Sequence, residues 1–228
     1  MKLVLLLLLA WVIKVWMGVL ISWIKAARRD RPSRPALHVP CSLPYSLDEA
    51  RNRMLALAHP MAAARIKSAY ATEAAPDPAE LRALRTPLLH LFGLRSDISD
   101  QQLRQTLPEL LRRRWFRLDL DGLQPGDDPR DAMAFACARV AFGVRAAALL
   151  GWLDEAAQWQ LLAHNARRAA DCFDGWQDFG KAWARGRRQW ITRSRADSLG
   201  LAFDEEQVQR WLADGGHPWA RLPWQAPG

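Results

Sequence analysis

The chain has 228 residues, half of them hydrophobic, a formal net charge of +8, and twelve tryptophans against two tyrosines. Glycine and proline near average usage exclude a fibrous or wholly disordered chain. Three widely spaced cysteines, Cys41, Cys137 and Cys172, form no C-x-x-C pair and are odd in number, which excludes a closed disulfide scaffold and fits free thiols in a reducing compartment.

The first element is apolar. Leu3 to Ile24 carries a single charge, Lys14, and fourteen of its residues are Leu, Ile or Val. As a helix it extends roughly 33 Å, enough for a bilayer core of roughly 30 Å. Its apolar residues contribute roughly −4 to −8 kcal/mol to insertion, against roughly +3 for a central lysine. The stretch is longer than a signal-peptide core, lacks a small-x-small cleavage site and is followed at once by cations. A retained transmembrane anchor over residues 1–25 is therefore expected. The cluster Lys25, Arg28, Arg29, Arg31 and Arg34 outweighs Lys2 and the amino terminus, which places the N-terminus outside and the bulk of the chain in the cytoplasm. Ala10, Lys14, Gly18 and Ser22 lie on one helical stripe, small at every position but Lys14. Such a face lets another membrane helix approach closely, with Lys14 meeting a carboxylate or carbonyl of a protein partner. A lysine that snorkels to the interface is the alternative.

Residues 26–45 are proline- and arginine-rich and read as a juxtamembrane linker beside anionic headgroups. Seven cations against Asp30 give residues 1–45 a net +6, leaving +2 for the remainder. The basicity thus belongs to the membrane flank, and nucleic-acid binding is not expected.

Residues 46–228 read as helix upon helix. Ser46-Leu-Asp-Glu49 resembles a capping box, opening a helix bent at His59-Pro60 and resuming through Tyr70. Asp77-Pro-Ala-Glu80 opens a helix interrupted at Thr86-Pro87 and ending near Gly93. Ser99 opens another, interrupted at Pro108, and Asp119 to Asp128 is a loop. Asp128-Pro129 starts a long alanine-rich helix to Leu150, stopped by Gly151. Asp154, Asp174 and Asp204 start three more, the last stopped by Gly215-Gly216. No alternating strand pattern occurs. The expected class is all-α, a single globular domain of about seven or eight helices preceded by one transmembrane helix.

Catalytic and metal signatures are lacking. The acidic pairs Asp127/Asp128, Asp154/Glu155 and Asp204 with Glu205/Glu206 all fall at helix starts, where capping accounts for them. The five histidines have no i, i+4 pairing, so no metal site is expected, and no phosphate-binding glycine loop or nucleophile motif points to a cofactor or catalytic residue. Two basic stretches, Arg112 to Arg117 and Lys181 to Arg195, interleave cations with tryptophan and read as solvated faces near an anionic membrane. In the second, Trp176, Phe179, Trp183 and Trp190 share a helical face. Gly186 on that face permits a close helix approach, and Arg187 beside it needs a carboxylate or stacked rings; a structural ion pair between helices is weighed there against an anion pocket.

Several motifs carry a resemblance over Ala134 to Trp224. They are Arg139 and Arg145, Gly151-Trp-Leu-Asp-Glu with Trp159, Trp176-x-x-Phe179, Gly186-Arg187-x-x-Trp190, and Pro218-Trp219-Ala-Arg-Leu-Pro-Trp224. Together they resemble a bacterial family known as domain of unknown function 1266, the YbeU-like proteins. Where that family reads Trp-Asp-x-x-Arg, this chain has Phe135-Ala136-Cys137-Ala138-Arg139, without the acid. The resemblance implies a helical bacterial domain over 46–228, with its core at 130–224, and implies no activity. With the anchor it places the chain at a bacterial inner membrane. The function expected first is protein binding, as scaffold, adaptor or regulator. An enzyme or ligand-binding domain using Arg139, Arg145 and Arg187 around an anionic small molecule is second, and nucleic-acid binding third.

Overall fold

The computed structural model describes residues 47–62, 70, 77–114, 120–192 and 203–225. Among them are nine helices and no strand: α1 Glu49–Ala56, α2 His59–Ala62, α3 Pro78–Leu91, α4 Asp100–Arg113, α5 Pro129–Leu149, α6 Glu155–Cys172, α7 Trp176–Thr192, α8 Glu205–Ala213 and α9 Pro218–Arg221. The all-α expectation holds. The anchor, the linker, Lys14 with its stripe, and residues 115–117 and 193–195 of the basic stretches lie outside the described residues.

Local chemistry starts and stops the helices. The side chains of Asp77, Asp128, Asp154 and Asp204 accept from Ala79, Arg130, Ala157 and Gln207 N–H at 2.7–2.9 Å, each satisfying an orphan donor of a first turn. Ser99 and Gln102 form a reciprocal capping box on α4. On α1 the cap is Asp48, which accepts from Arg51 N at 2.7 Å. Gly151 ends α5 at φ 71°, with Trp152 N donating to Ala147 O and Gly151 N to Ala148 O, and Gly93 ends α3 in the same way at φ 65°.

The expected interruptions at Pro87 and Pro108 do not occur: α3 and α4 run through both. Each proline forgoes a bond to the carbonyl four residues back, at Ala83 and Arg104. Both residues are exposed, so water replaces the lost donor, while Leu84, Leu88, Leu103, Leu107 and Leu111 hold the opposite faces in the core.

Helix α5 is the centre of the domain. It is long and apolar enough to cross a membrane, yet 83% of its most apolar window is buried inside the protein. Sixteen of its 21 residues are buried, as expected of a helix that is apolar on every side. It packs most extensively on α7 and α6, with α1, α2 and α3 completing its coat. Asn165 of α6 donates to Cys137 O at 2.9 Å, pinning that pair of helices from inside.

The α5–α7 contact is backbone on side-chain-free backbone. A Cβ at Gly186 would stand 2.1 Å from the Asp131 carbonyl oxygen. Asp131, in the first turn of α5, is itself buried, and Arg185 grips its carboxylate through Nε and Nη2, both at 2.8 Å. Glycine and ion pair together set the spacing and register of the two helices.

Candidate binding sites

The aromatic face of α7 is closed. Trp176, Phe179 and Trp183 are buried, and the C-terminal segment folds back over them. Trp219 of α9 stacks on Trp176 with ring centroids 5.5 Å apart, and Trp224 meets Trp176 edge-on at 4.7 Å. Three of the indoles find a carbonyl: Trp176 Nε1 donates to Leu222 O, Trp224 Nε1 to Phe173 O and Trp219 Nε1 to Ala56 O, all at 2.8 Å. A Cβ on Gly180 would lie 2.7 Å from the Trp219 ring, so this glycine is the seat of that indole. Trp176, Trp219 and Trp224 are mortar, joining α9 and the C-terminus to α1, α6 and α7.

Behind Trp219 lies a pair of histidines that sequence spacing does not connect. His59 and His217 meet edge-to-face at 4.6 Å, and Trp211 stacks on His217 at 4.4 Å. His217 Nδ1 caps α9 by accepting from Trp219 N at 3.1 Å, which leaves the ring proton on Nε2. Burial lowers the His59 pKa to about 4; burial and the neighbouring His59 lower that of His217 to about 2. Both rings are therefore neutral at physiological pH. Among the described residues no group of three or more His, Cys, Asp or Glu is placed to hold a metal ion.

The three candidate arginines occupy different places. Arg139, 7% exposed, lies with its guanidinium 4.2 Å from the Trp190 ring centroid and 5.4 Å from that of Phe135. Two aromatic faces thus stand beside this buried cation. Arg187 is half-buried on α7; the carboxylate pair with α5 is made two positions earlier, by Arg185. Arg145, 8% exposed, is near the opposite end of α5, and its bonds include Nε to Tyr70 O at 3.0 Å and Nη1 to Gln158 Oε1 at 3.1 Å.

Two concavities adjoin these elements. One is a cleft of ≈ 340 Å³ where the C-terminal end of α5 meets the first turns of α6 and α1; Arg145, Gln158, Trp159, Arg51 and Glu155 supply its polar wall, and Leu149 and Leu153 are among its apolar residues. Neither Arg139 nor Arg187 is among its described lining residues. Arg51 lies over the Trp159 ring at 4.7 Å and reaches Glu155 at 3.6 Å, while Trp159 Nε1 donates to Glu155 at 3.2 Å. The other is a groove of ≈ 250 Å³ between α1 and α6. Met54, Leu57, Ala163, Ala166 and Ala170 line it, Trp176 and Trp224 close one end, and Arg53 and Arg167 are its cations. No Asp or Glu is among its described lining residues. The alanines at steps of three and four keep it open where larger side chains would fill it.

The sequence motifs find local explanations in this geometry. Gly151-Trp-Leu-Asp-Glu is the α5–α6 corner: Gly151 takes the left-handed conformation, Trp152 and Leu153 are buried, Asp154 caps α6 and Glu155 meets Arg51. Arg51, Gln158, Arg53 and Arg167 had no sequence signal beyond their residue type. Comparison with known proteins adds one relationship. No curated protein and no solved structure matches the chain. A family model does match, over residues 46–224, which span every described helix: the chain belongs to the family described as Protein of unknown function (DUF1266).

Proposed function

We propose that this is a single-pass inner-membrane protein of a bacterium whose cytoplasmic helical domain works by binding an acidic, amphipathic segment of a partner protein. The groove between α1 and α6 carries this reading. It offers an apolar floor, tryptophan at one end and two arginines, with no acid among its described lining residues. Neither Arg53 nor Arg167 has an ion-pair partner among the described residues. Apolar anchors entering a groove flanked by complementary charge are the usual chemistry of helix recognition, and Trp and Arg are the residue types that most often dominate such contacts. Closure of the tryptophan core supports binding as well, since the large aromatics are spent on architecture and the surface keeps a small, shaped apolar feature. The N-terminal span would hold this groove near the membrane. Its Ala10/Lys14/Gly18/Ser22 face would contact a membrane helix of the same or another partner.

The test is recovery of the full chain with its associated proteins from native membranes. Two groove variants are compared with wild type: Arg53→Glu with Arg167→Glu, which reverses the charge, and Ala166→Trp, which fills the floor. Both groove variants are expected to lose the same partner, and Gln105→Glu on exposed α4 is expected to retain it. An unchanged set of associated proteins in both groove variants refutes the reading.

A further inference from the structure

The cleft at the α5–α6 corner is separate from the α1–α6 groove and has a different chemistry. Arg145 is a buried cation on an alanine-rich helix, and its guanidinium is oriented by Tyr70 O and Gln158 Oε1. That second bond fixes the Gln158 amide, because only its oxygen can accept from a guanidinium. The Gln158 Nε2 group is thereby presented as a donor. Gln158 is 2% exposed, it lines the cleft, and its Nε2 makes no hydrogen bond to a described residue. The Arg145–Gln158 pair therefore converts a neutral amide into a fixed pair of N–H donors at the cleft wall. Arg51 adds a second guanidinium, lying on the Trp159 ring. Glu155, the acid among the cleft's described lining residues, is engaged by Arg51 and by Trp159 Nε1. The remaining wall includes Leu149 and Leu153.

We infer that this cleft binds a small organic oxyanion, a carboxylate or phosphate monoester carrying a compact apolar body. An oxyanion accepts from several N–H donors at once, and charge-assisted bonds of this kind are about twice as strong as neutral ones. The volume of ≈ 340 Å³ exceeds what an inorganic anion fills and falls within the range of small-molecule pockets. The apolar body lies against Leu149 and Leu153, and the charged group faces Gln158 Nε2 and Arg51, with Arg145 behind the amide holding it in place. Arg51 closes over the ligand by exchanging its exposed contact with Glu155 for the oxyanion; an exposed ion pair is worth only about 0–1 kcal/mol, so the exchange is easy.

The test is titration calorimetry of the full chain, in detergent, with benzoate, phenyl phosphate and inorganic phosphate. One or both organic probes are expected to bind with millimolar or better affinity, and more tightly than inorganic phosphate. Gln158→Glu is the decisive variant. Its carboxylate retains the bond to Arg145, so the fold is kept, while the N–H donors are replaced by negative charge. Its thermal midpoint is expected to equal or exceed wild type, with binding weakened at least about tenfold. Arg51→Gln is expected to weaken binding with the fold intact, and Arg53→Glu in the separate groove to leave it unchanged. No binding of either organic probe up to about 10 mM overturns the inference, as does equal binding by Gln158→Glu.

Discussion

Replacing Gly186 with alanine tests the α5–α7 contact that sets the whole domain. In isolation the change favours the helix by about 1 kcal/mol. Here the new methyl would stand 2.1 Å from the Asp131 carbonyl oxygen and 2.6 Å from its carbon, and no rotamer can relieve it, because a Cβ is fixed by its own backbone and the atoms it meets are backbone too. The helices must part by about an ångström to restore ordinary contact, which forfeits roughly a quarter to a half of each dispersion well along the interface. The same movement pulls Arg185 away from Asp131, whose bidentate bonds are 2.8 Å long. Overpacking of this kind costs about 1–3 kcal/mol, with the rigid clash at the upper end. After subtracting the helix-propensity gain, a net loss of about 2 kcal/mol is expected. For a domain of this size that is a fall in Tm of about 4–8 °C. Thermal unfolding followed by circular dichroism measures it, with Gln177→Ala on the exposed face of α7 as a control expected within about 0.5 kcal/mol of wild type. A Gly186→Ala protein as stable as wild type, or more so, would refute the close approach.

The histidine pair makes the domain acid-sensitive. Both folded-state pKa values are lowered from 6.5, so their contribution to stability is intact above pH 6.5 and is lost as pH falls below it, for His59 down to about 4. The His59 shift alone corresponds to about 3 kcal/mol by pH 4. A His217→Asn variant keeps a capping acceptor for Trp219 N–H and removes one titrating ring, so its Tm should fall less steeply between pH 6.5 and 4.5; parallel curves would contradict the assignment. Arg185→Ala leaves the buried Asp131 carboxylate without its guanidinium and should cost about 2–4 kcal/mol, of which adding Asp131→Asn should restore a part; urea midpoints of the two variants measure this, and additive losses would argue against direct coupling. Lys14→Leu should reduce association with a membrane partner without altering membrane insertion, read by co-purification and carbonate extraction; unchanged association would reduce Lys14 to a tolerated residue.

What the sequence made legible was local. Aspartates at 77, 128, 154 and 204 and glycines at 93 and 151 announced helix boundaries because capping is decided within a few residues. The Trp176/Phe179/Trp183 face was legible from its spacing, and Gly186 was recognisable as a place of close approach. The objects these faces meet were not legible, since Asp131 and Arg185 stand 54 residues apart and Trp219 bonds to a carbonyl 163 positions away. Pro87 and Pro108 misled because tertiary burial of one helix face outweighed a lost bond on the solvent side. Short α9 gave no periodic signal and exists because His217 caps it and Trp219 is seated on Gly180. The anion cleft depends on the direction in which one amide is held, and no sequence pattern encodes that.

The most direct measurement of the binding function is the identity of the peptide captured by a photoreactive residue placed at position 166, on the groove floor, in the full chain in native membranes. The captured segment is expected to be apolar at helical spacing with Asp or Glu flanking its anchors, and to be lost when Arg53 and Arg167 are reversed in charge. Capture of a basic or uniformly polar segment, or of the same peptides from a probe at position 105 on α4, would contradict the account.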